Sequence, residues 1–355
     1  MTTTHRSYAA TYAALAILLA IALLASAGIG AFTFTPAELW SYTAQALGVK
    51  PAIAADTLGR NVFFQLRLPR VLMSALTGAV LGVSGTLMQG LFRNPIVEPG
   101  LAGTSAGAAF GAALVFVLGS GTMLAFTTLL GAFTVPLCAF AGAFAATLIV
   151  YRVASSFRKV NVFTLLLAGI AVNAVCSAGT GFLSYIARDP QARNITFWNL
   201  GTFTTADWRG VTLVAVCFVA CFMFALRAAK ALNALMLGED EAALLGFDTD
   251  RLISRLLLVN TVMVAAATAM VGVIAFVGLV IPHVLRMWRS SDYSFLIPGS
   301  ALLGALTMEV IDIVARIIIP PAELPIGIIT AVIGAPVFLW ILLREKRRSG
   351  AALYG

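Results

Sequence analysis

From Tyr8 to Phe32 the chain runs 25 residues without a charged side chain, and nine more apolar stretches of similar character follow it. A helix that spans a bilayer takes roughly 20 apolar residues. In hydrocarbon, each backbone N–H and C=O must be paired within its own helix or within a closed barrel. These stretches are continuous rather than alternating, so they predict helices. Composition agrees: 60% of residues are hydrophobic and 11% charged, against about 25% charged in an average soluble domain. The expected fold is all-α and polytopic, with residues 1–355 forming a single transmembrane domain.

Breaks at charges, Pro and Gly give ten candidate spans: Tyr8–Ala31, Leu68–Phe92, Leu101–Leu118, Met123–Tyr151, Val162–Ala187, Trp208–Leu226, Leu252–Met270, Gly272–Met287, Phe295–Ile318 and Ile326–Leu343. Ala25-Ser26-Ala27 could pass for a signal-peptidase site, but the first apolar run is too long for a typical leader and is read as an uncleaved span. With ten spans both termini share a side. Placing them in the cytoplasm puts 15 of the 23 Lys and Arg residues inside and 8 outside, as the positive-inside rule requires. The net charge of +8 is therefore explained by membrane orientation. It forms no continuous basic face of the kind that binds nucleic acid. Dense Gly and Ala in the second, third and fifth spans predict close helix packing.

Chemistry-bearing residues are sparse. The only histidines are His5 and His283, and no zinc, dinucleotide or Walker A motif occurs, so neither a metal site nor a nucleotide site is expected. Cys138, Cys176, Cys217 and Cys221 lie in apolar stretches, which predicts buried reduced thiols. Glu309 and Asp312 are the only carboxylates deep in a candidate span. That scarcity argues against an ion-coupled carrier. Spacings of three and four put Glu309, Asp312 and Arg316 on one helix face, as an internal ion pair or as a functional site. No nucleophile and base cluster suggests a membrane-embedded enzyme. The polar segment 228–251 carries a short amphipathic stretch with acids in its first turn and Gly on either side. Leu244, Leu245 and Phe247 would be unusual in a plain solvated loop, so this stretch reads as a docking helix.

Six motifs in order then resemble the FecCD family of permeases: Arg67-Leu68-Pro69-Arg70; Gly85 to Gly90 running into Arg93-Asn94-Pro95-Ile96-Val97-Glu98-Pro99-Gly100; Leu165 to Gly169; Leu237-Gly238 to Leu245-Gly246; Gly278 to His283; and Glu323 to Gly327 leading to Gly334-Ala335-Pro336. The resemblance covers nearly the whole chain. It implies the type II ABC importer permease fold, with ten helices per subunit in a homodimer. The expected partners are two ABC ATPase subunits that carry ATP and magnesium, a periplasmic binding protein, and the lipid of a bacterial inner membrane. The chain itself is then not an enzyme and holds no cofactor. By the same resemblance Gly238, Glu239, Ala242, Leu244, Leu245 and Gly246 form the ATPase-docking coupling helix. Arg67, Arg70 and Arg316 meet the binding protein. Asn94 and Ile96 match the cytoplasmic gate by motif, and Val162 and Phe163 match it by position.

The Val97 to Leu101 wording and the Phe197-Trp198 segment look closer to haem permeases, so haem is the expected cargo; ferric siderophores and cobalamin are the alternatives. Arg188 and Arg193 are candidate partners for haem propionates, with lipid headgroup or binding-protein contact as the competing role. His283 lies in a Pro-His pair that the family carries across substrates, which favours a structural role over the alternative of a haem ligand; with so few His and loop Met residues, iron is not expected to pass between axial ligands here.

Overall fold

The computed structural model describes residues 2–30, 33–46, 49, 56–119, 121, 123–156, 159–320 and 322–353. Ala31, the end predicted for the first span, and Lys50 and Arg158 of the charge count lie outside the described residues. In chain order the helices are α1 (Thr2–Gly28), α2 (Pro36–Ala46), α3 (Thr57–Asn61), α4 (Leu68–Leu91), α5 (Thr104–Leu118), α6 (Leu124–Leu130), α7 (Thr134–Ala154), α8 (Val162–Ile186), α9 (Asp189–Asn199), α10 (Trp208–Leu235), α11 (Glu239–Leu244), α12 (Thr249–Val271), α13 (Val277–Trp288), α14 (Tyr293–Ile317) and α15 (Ile326–Leu353). A π-helical turn, Val62–Arg67, runs into α4, and a two-residue antiparallel pair, Ser155–Ser156 with Lys159–Val160, joins α7 to α8.

Every predicted span corresponds to helix. Seven helices among the described residues are long and apolar enough to cross a membrane, and three shorter apolar ones match the third, eighth and tenth spans. Three boundaries differ in an informative way. The sixth span continues to Leu235, nine residues beyond the predicted end, because Arg227 and Lys230 sit on a helix that outlasts its apolar stretch. The third begins at Thr104 and the eighth only at Val277. The apolar residues just before those two starts are not α-helical.

Helix α4 is the central post. In its most apolar window 83% of residues are buried, against 17% in α8, which leaves most of its circumference facing outward. Small residues set the approach of α4 to α14: Gly78 and Gly304 face each other so closely that a Cβ on either would strike the other's carbonyl oxygen. Lipid tails are as apolar as Leu, so van der Waals packing and interhelical hydrogen bonds hold such a bundle together. The buried Thr86 hydroxyl donates to Ser300 at 2.7 Å, and Thr104 and Thr147 pair at 3.1 Å between α5 and α7.

Candidate functional site

At the end of the bundle where α4 and α10 finish and α12 begins, α11 lies between two glycines in left-handed conformations, Gly238 (φ +145°) and Gly246 (φ +89°). Those glycines let the chain turn sharply into and out of a six-residue helix. Ala242 is fully buried and anchors it, while Leu244 is 88% and Leu245 61% exposed. Phe247 differs from the expectation of an exposed trio: it is half-buried against the core, which fixes the exit of the helix. An apolar pair held outward on a rigid turn is suited to a partner groove rather than to water.

The loop after α4 reaches this helix directly. Arg93 adopts a left-handed φ of +50°, and its guanidinium pairs with Glu239 at 2.8 Å. Immediately beyond, the Asn94 side-chain oxygen accepts from Ile96 N–H at 3.0 Å, closing a tight turn that leaves Ile96 exposed. Val162 and Phe163 open α8 behind the Asn161 cap. Val160 N–H donates to Asp250 at 3.0 Å, so the α8 entrance is tied to the start of α12 at this same end. Among the described residues no hydrogen bond joins Asn94 or Ile96 to Val162 or Phe163.

From Ile96 the chain climbs into the bundle. Asn173, near the midpoint of α8, donates to Gly100 C=O at 3.2 Å, and the Pro99 ring lies against Gly278. From the other side comes the non-helical stretch Gly272–Phe276, which precedes the half-length α13. The two breaks meet where Phe276 N–H donates to Glu98 at 3.0 Å. Phe276 is left-handed (φ +68°), a conformation that costs a non-glycine residue about 1–2 kcal/mol and that this bond helps to hold. Irregular backbone at such depth is tolerated where it is buried in protein or lines a cavity. A cavity of about 470 Å³ lies there, with Glu98, Ser105, Asn173, Ser177, Thr180 and Asn199 among its polar lining. The Asn173 side-chain oxygen is buried with no partner. Glu98 and Asn173 are the polar groups that span-by-span reading misses: Glu98 falls between spans, and Asn173 is one amide in an apolar helix. The signal that could have found them is the clustering of Pro95, Pro99, Gly100 and Gly103 around a carboxylate.

At the opposite end the three arginines expected to meet a binding protein turn inward. Arg67 and Arg316 are 8% and 5% exposed. Arg70 pairs with Asp312 at 2.8 Å and with Glu323 at 2.7 Å. Arg316 pairs with the same Asp312 at 2.9 Å and donates to the carbonyls of Ser26 and Ile29; Arg67 donates to Ile29 C=O as well. The network ties α1, α4, α14 and the loop before α15 together. Asp312 is thus an ion-pair hub. Glu309, also fully buried, lies near the hydroxyls of Ser26 and Ser74 and forms no ion pair among the described residues. Arg188 and Arg193 are exposed around α9, and neither lines the 470 Å³ cavity. Among the described residues no group of three His, Cys, Asp or Glu could hold a metal.

Comparison with known proteins bears on this geometry. Residues 18–344 match the FecCD transport family. The chain is 39% identical over 337 residues to the hemin transport system permease protein HmuU of Yersinia pestis, covering 95% of this chain and 96% of that one. It is also 39% identical over 311 residues to the vitamin B12 import system permease protein BtuC of Salmonella typhi, covering 88% and 92%. A solved inward-facing structure of a metal-chelate type ABC transporter superimposes with a TM-score of 0.80 at 31% identity, covering 94% of this chain and 99% of that one. With its broken helices, its exposed six-residue helix α11 and a match along nearly its whole length, the chain belongs to the FecCD transport family and is the multi-pass membrane permease of an ABC importer.

Proposed function

We propose that this permease imports haem across a bacterial inner membrane, as a homodimer working with two ATPase subunits and a periplasmic binding protein. Both termini and α11 then face the cytoplasm. The observation that carries the coupling mechanism is the Arg93–Glu239 bridge: it joins the helix that presents Leu244 and Leu245 outward to the loop that holds Asn94 and Ile96. Closure of the ATPases on α11 would pull on that loop, and Val162 and Phe163 at the α8 entrance complete the gate. Only differential contact with the two conformations can drive such a cycle.

On the periplasmic side Arg67, Arg70 and Arg316 frame the mouth from within. The exposed Arg60, Arg188 and Arg193 are the charges free to meet an acidic partner or a propionate; rim charges of this kind set register and encounter rate. An ion-coupled carrier is the weaker reading, because Asp312 is held between Arg70 and Arg316. Haem is favoured by the extent of the match to the hemin permease. Cobalamin stands second, because the vitamin B12 permease is equally identical over a shorter stretch.

The test is reconstitution in liposomes with the cognate ATPase and binding protein. Haem-stimulated ATPase activity with haem accumulating inside the vesicles is expected, and both are expected to vanish in the L244D/L245D variant. Stimulation by cobalamin or a ferric siderophore but not by haem overturns the cargo. Unchanged assembly and transport in the variant overturns the docking assignment.

A further inference from the structure

A second cavity, of about 440 Å³, opens beside the coupling helix on the α11 end of the bundle. Phe224, Phe247 and Leu252 give it apolar walls, and Arg227, Arg251 and Arg255 ring it, with Asp248 as the one carboxylate among its lining residues. On α10, Phe224, Arg227, Ala228 and Ala231 follow the 3-4-7 spacing of a single helix face. On α12, Arg251 and Arg255 stand one turn apart.

The charges here are unbalanced. Asp248 is already committed twice, accepting from Arg251 N–H at 3.0 Å as the α12 cap and pairing with the Arg251 side chain at 2.9 Å. Arg227 and Arg255 make no hydrogen bond or ion pair among the described residues. Like charges one turn apart repel, and Asp248 offsets only Arg251, which leaves Arg227 and Arg255 uncompensated among the described residues. A guanidinium fork matches two phosphate oxygens, and two such forks facing one cavity define an anion site. Its depth and walls identify the anion. Arg227 lies eight residues before the end of α10 and Arg255 six residues after the start of α12, so at about 1.5 Å per residue both sit roughly 10 Å from the helix tips. That is where headgroups meet acyl chains. A free phosphate needs no aromatic wall, whereas a lipid tail does.

We infer that this cavity binds an anionic phospholipid, its phosphodiester between Arg227 and Arg255 and an acyl chain along Phe224. Basic pockets between membrane helices on the cytoplasmic side are suited to such headgroups. Because Phe247 and Asp248 directly follow α11, a bound lipid also buttresses the exit of the coupling helix.

The test uses the full-length permease in dodecyl maltoside, with dioleoyl phosphatidylglycerol or dioleoyl phosphatidylcholine as the probe and retained lipid read by native mass spectrometry. Phosphatidylglycerol is expected to be retained over phosphatidylcholine. The R227Q/R255Q variant is expected to bind it roughly thirty-fold more weakly and R255Q alone about five-fold more weakly. K230Q, which removes an exposed charge of α10 outside the cavity, is expected to bind like the parent. Undiminished binding by R227Q/R255Q, or equal retention of the two lipids, overturns the site. An equal loss in K230Q overturns it in favour of diffuse surface attraction, and displacement by millimolar inorganic phosphate overturns the lipid assignment in favour of a free anion.

Discussion

Asp312 sits fully buried between two arginines, so its removal strands Arg316 and leaves Arg70 only Glu323. Breaking a buried pair from one side costs about 3–5 kcal/mol, because it leaves an unpaired charge in a low-dielectric setting. D312A is therefore expected to lower the unfolding midpoint of the purified permease sharply, measured by thermal denaturation in detergent. E309Q is expected to leave it unchanged or raise it, since Glu309 is fully buried and has no ion-paired cation among the described residues. A midpoint for D312A equal to the parent would mean that the network is not structural. At this scale the sequence was half legible. Spacing alone indicated that Asp312 and Arg316 share a face, and they do. What spacing could not reveal is the direction in which an arginine at the end of a span points. Arg67 and Arg70 flank a proline at a helix start, where outward and inward rotamers read identically; the carbonyl of Ile29, thirty-eight residues from Arg67, decides between them.

Among the elements, α11 and the loop after α4 are joined by one ion pair whose partners are each more than a third exposed. Such a pair stabilises the fold by no more than about 1 kcal/mol, so its value is geometric. R93E and E239R are each expected to leave the unfolding midpoint within error while lowering transport per ATP hydrolysed. The R93E/E239R swap is expected to recover that ratio; a swap no better than either single change would remove the bridge from the coupling path. Hydropathy located all ten spans because burial and lipid exposure both demand apolar side chains. For the same reason it could not see that 272–276 is unwound: Val273, Ile274, Ala275 and Phe276 are as apolar as any helix, and only Gly272 marks the break. The short helix α11 was legible because its glycines and its leucines both depart from what a loop requires.

For the whole molecule, if the Glu98 cavity lies on the transport path, alternating access requires it to open to one side at a time. A single cysteine at Ser105, in a background where Cys138, Cys176, Cys217 and Cys221 are replaced, reports this through a membrane-impermeant maleimide added to sealed vesicles. Labelling is expected to change side between nucleotide-free and ATP-trapped complexes; identical labelling in both states would exclude the cavity from the transport path.

The two unwound stretches that meet at Glu98 and Phe276 are clamped by a handful of side-chain and glycine contacts onto helices that otherwise pack as a rigid frame. Backbone outside a helical ladder can change its course without breaking that ladder, so the shape of the chamber and the architecture of the frame are separable inheritances. If the cargo passes through this chamber, a lineage, or an engineer, can retune it by rewriting about a dozen residues around positions 98–105 and 272–276 without touching the ATPase subunits.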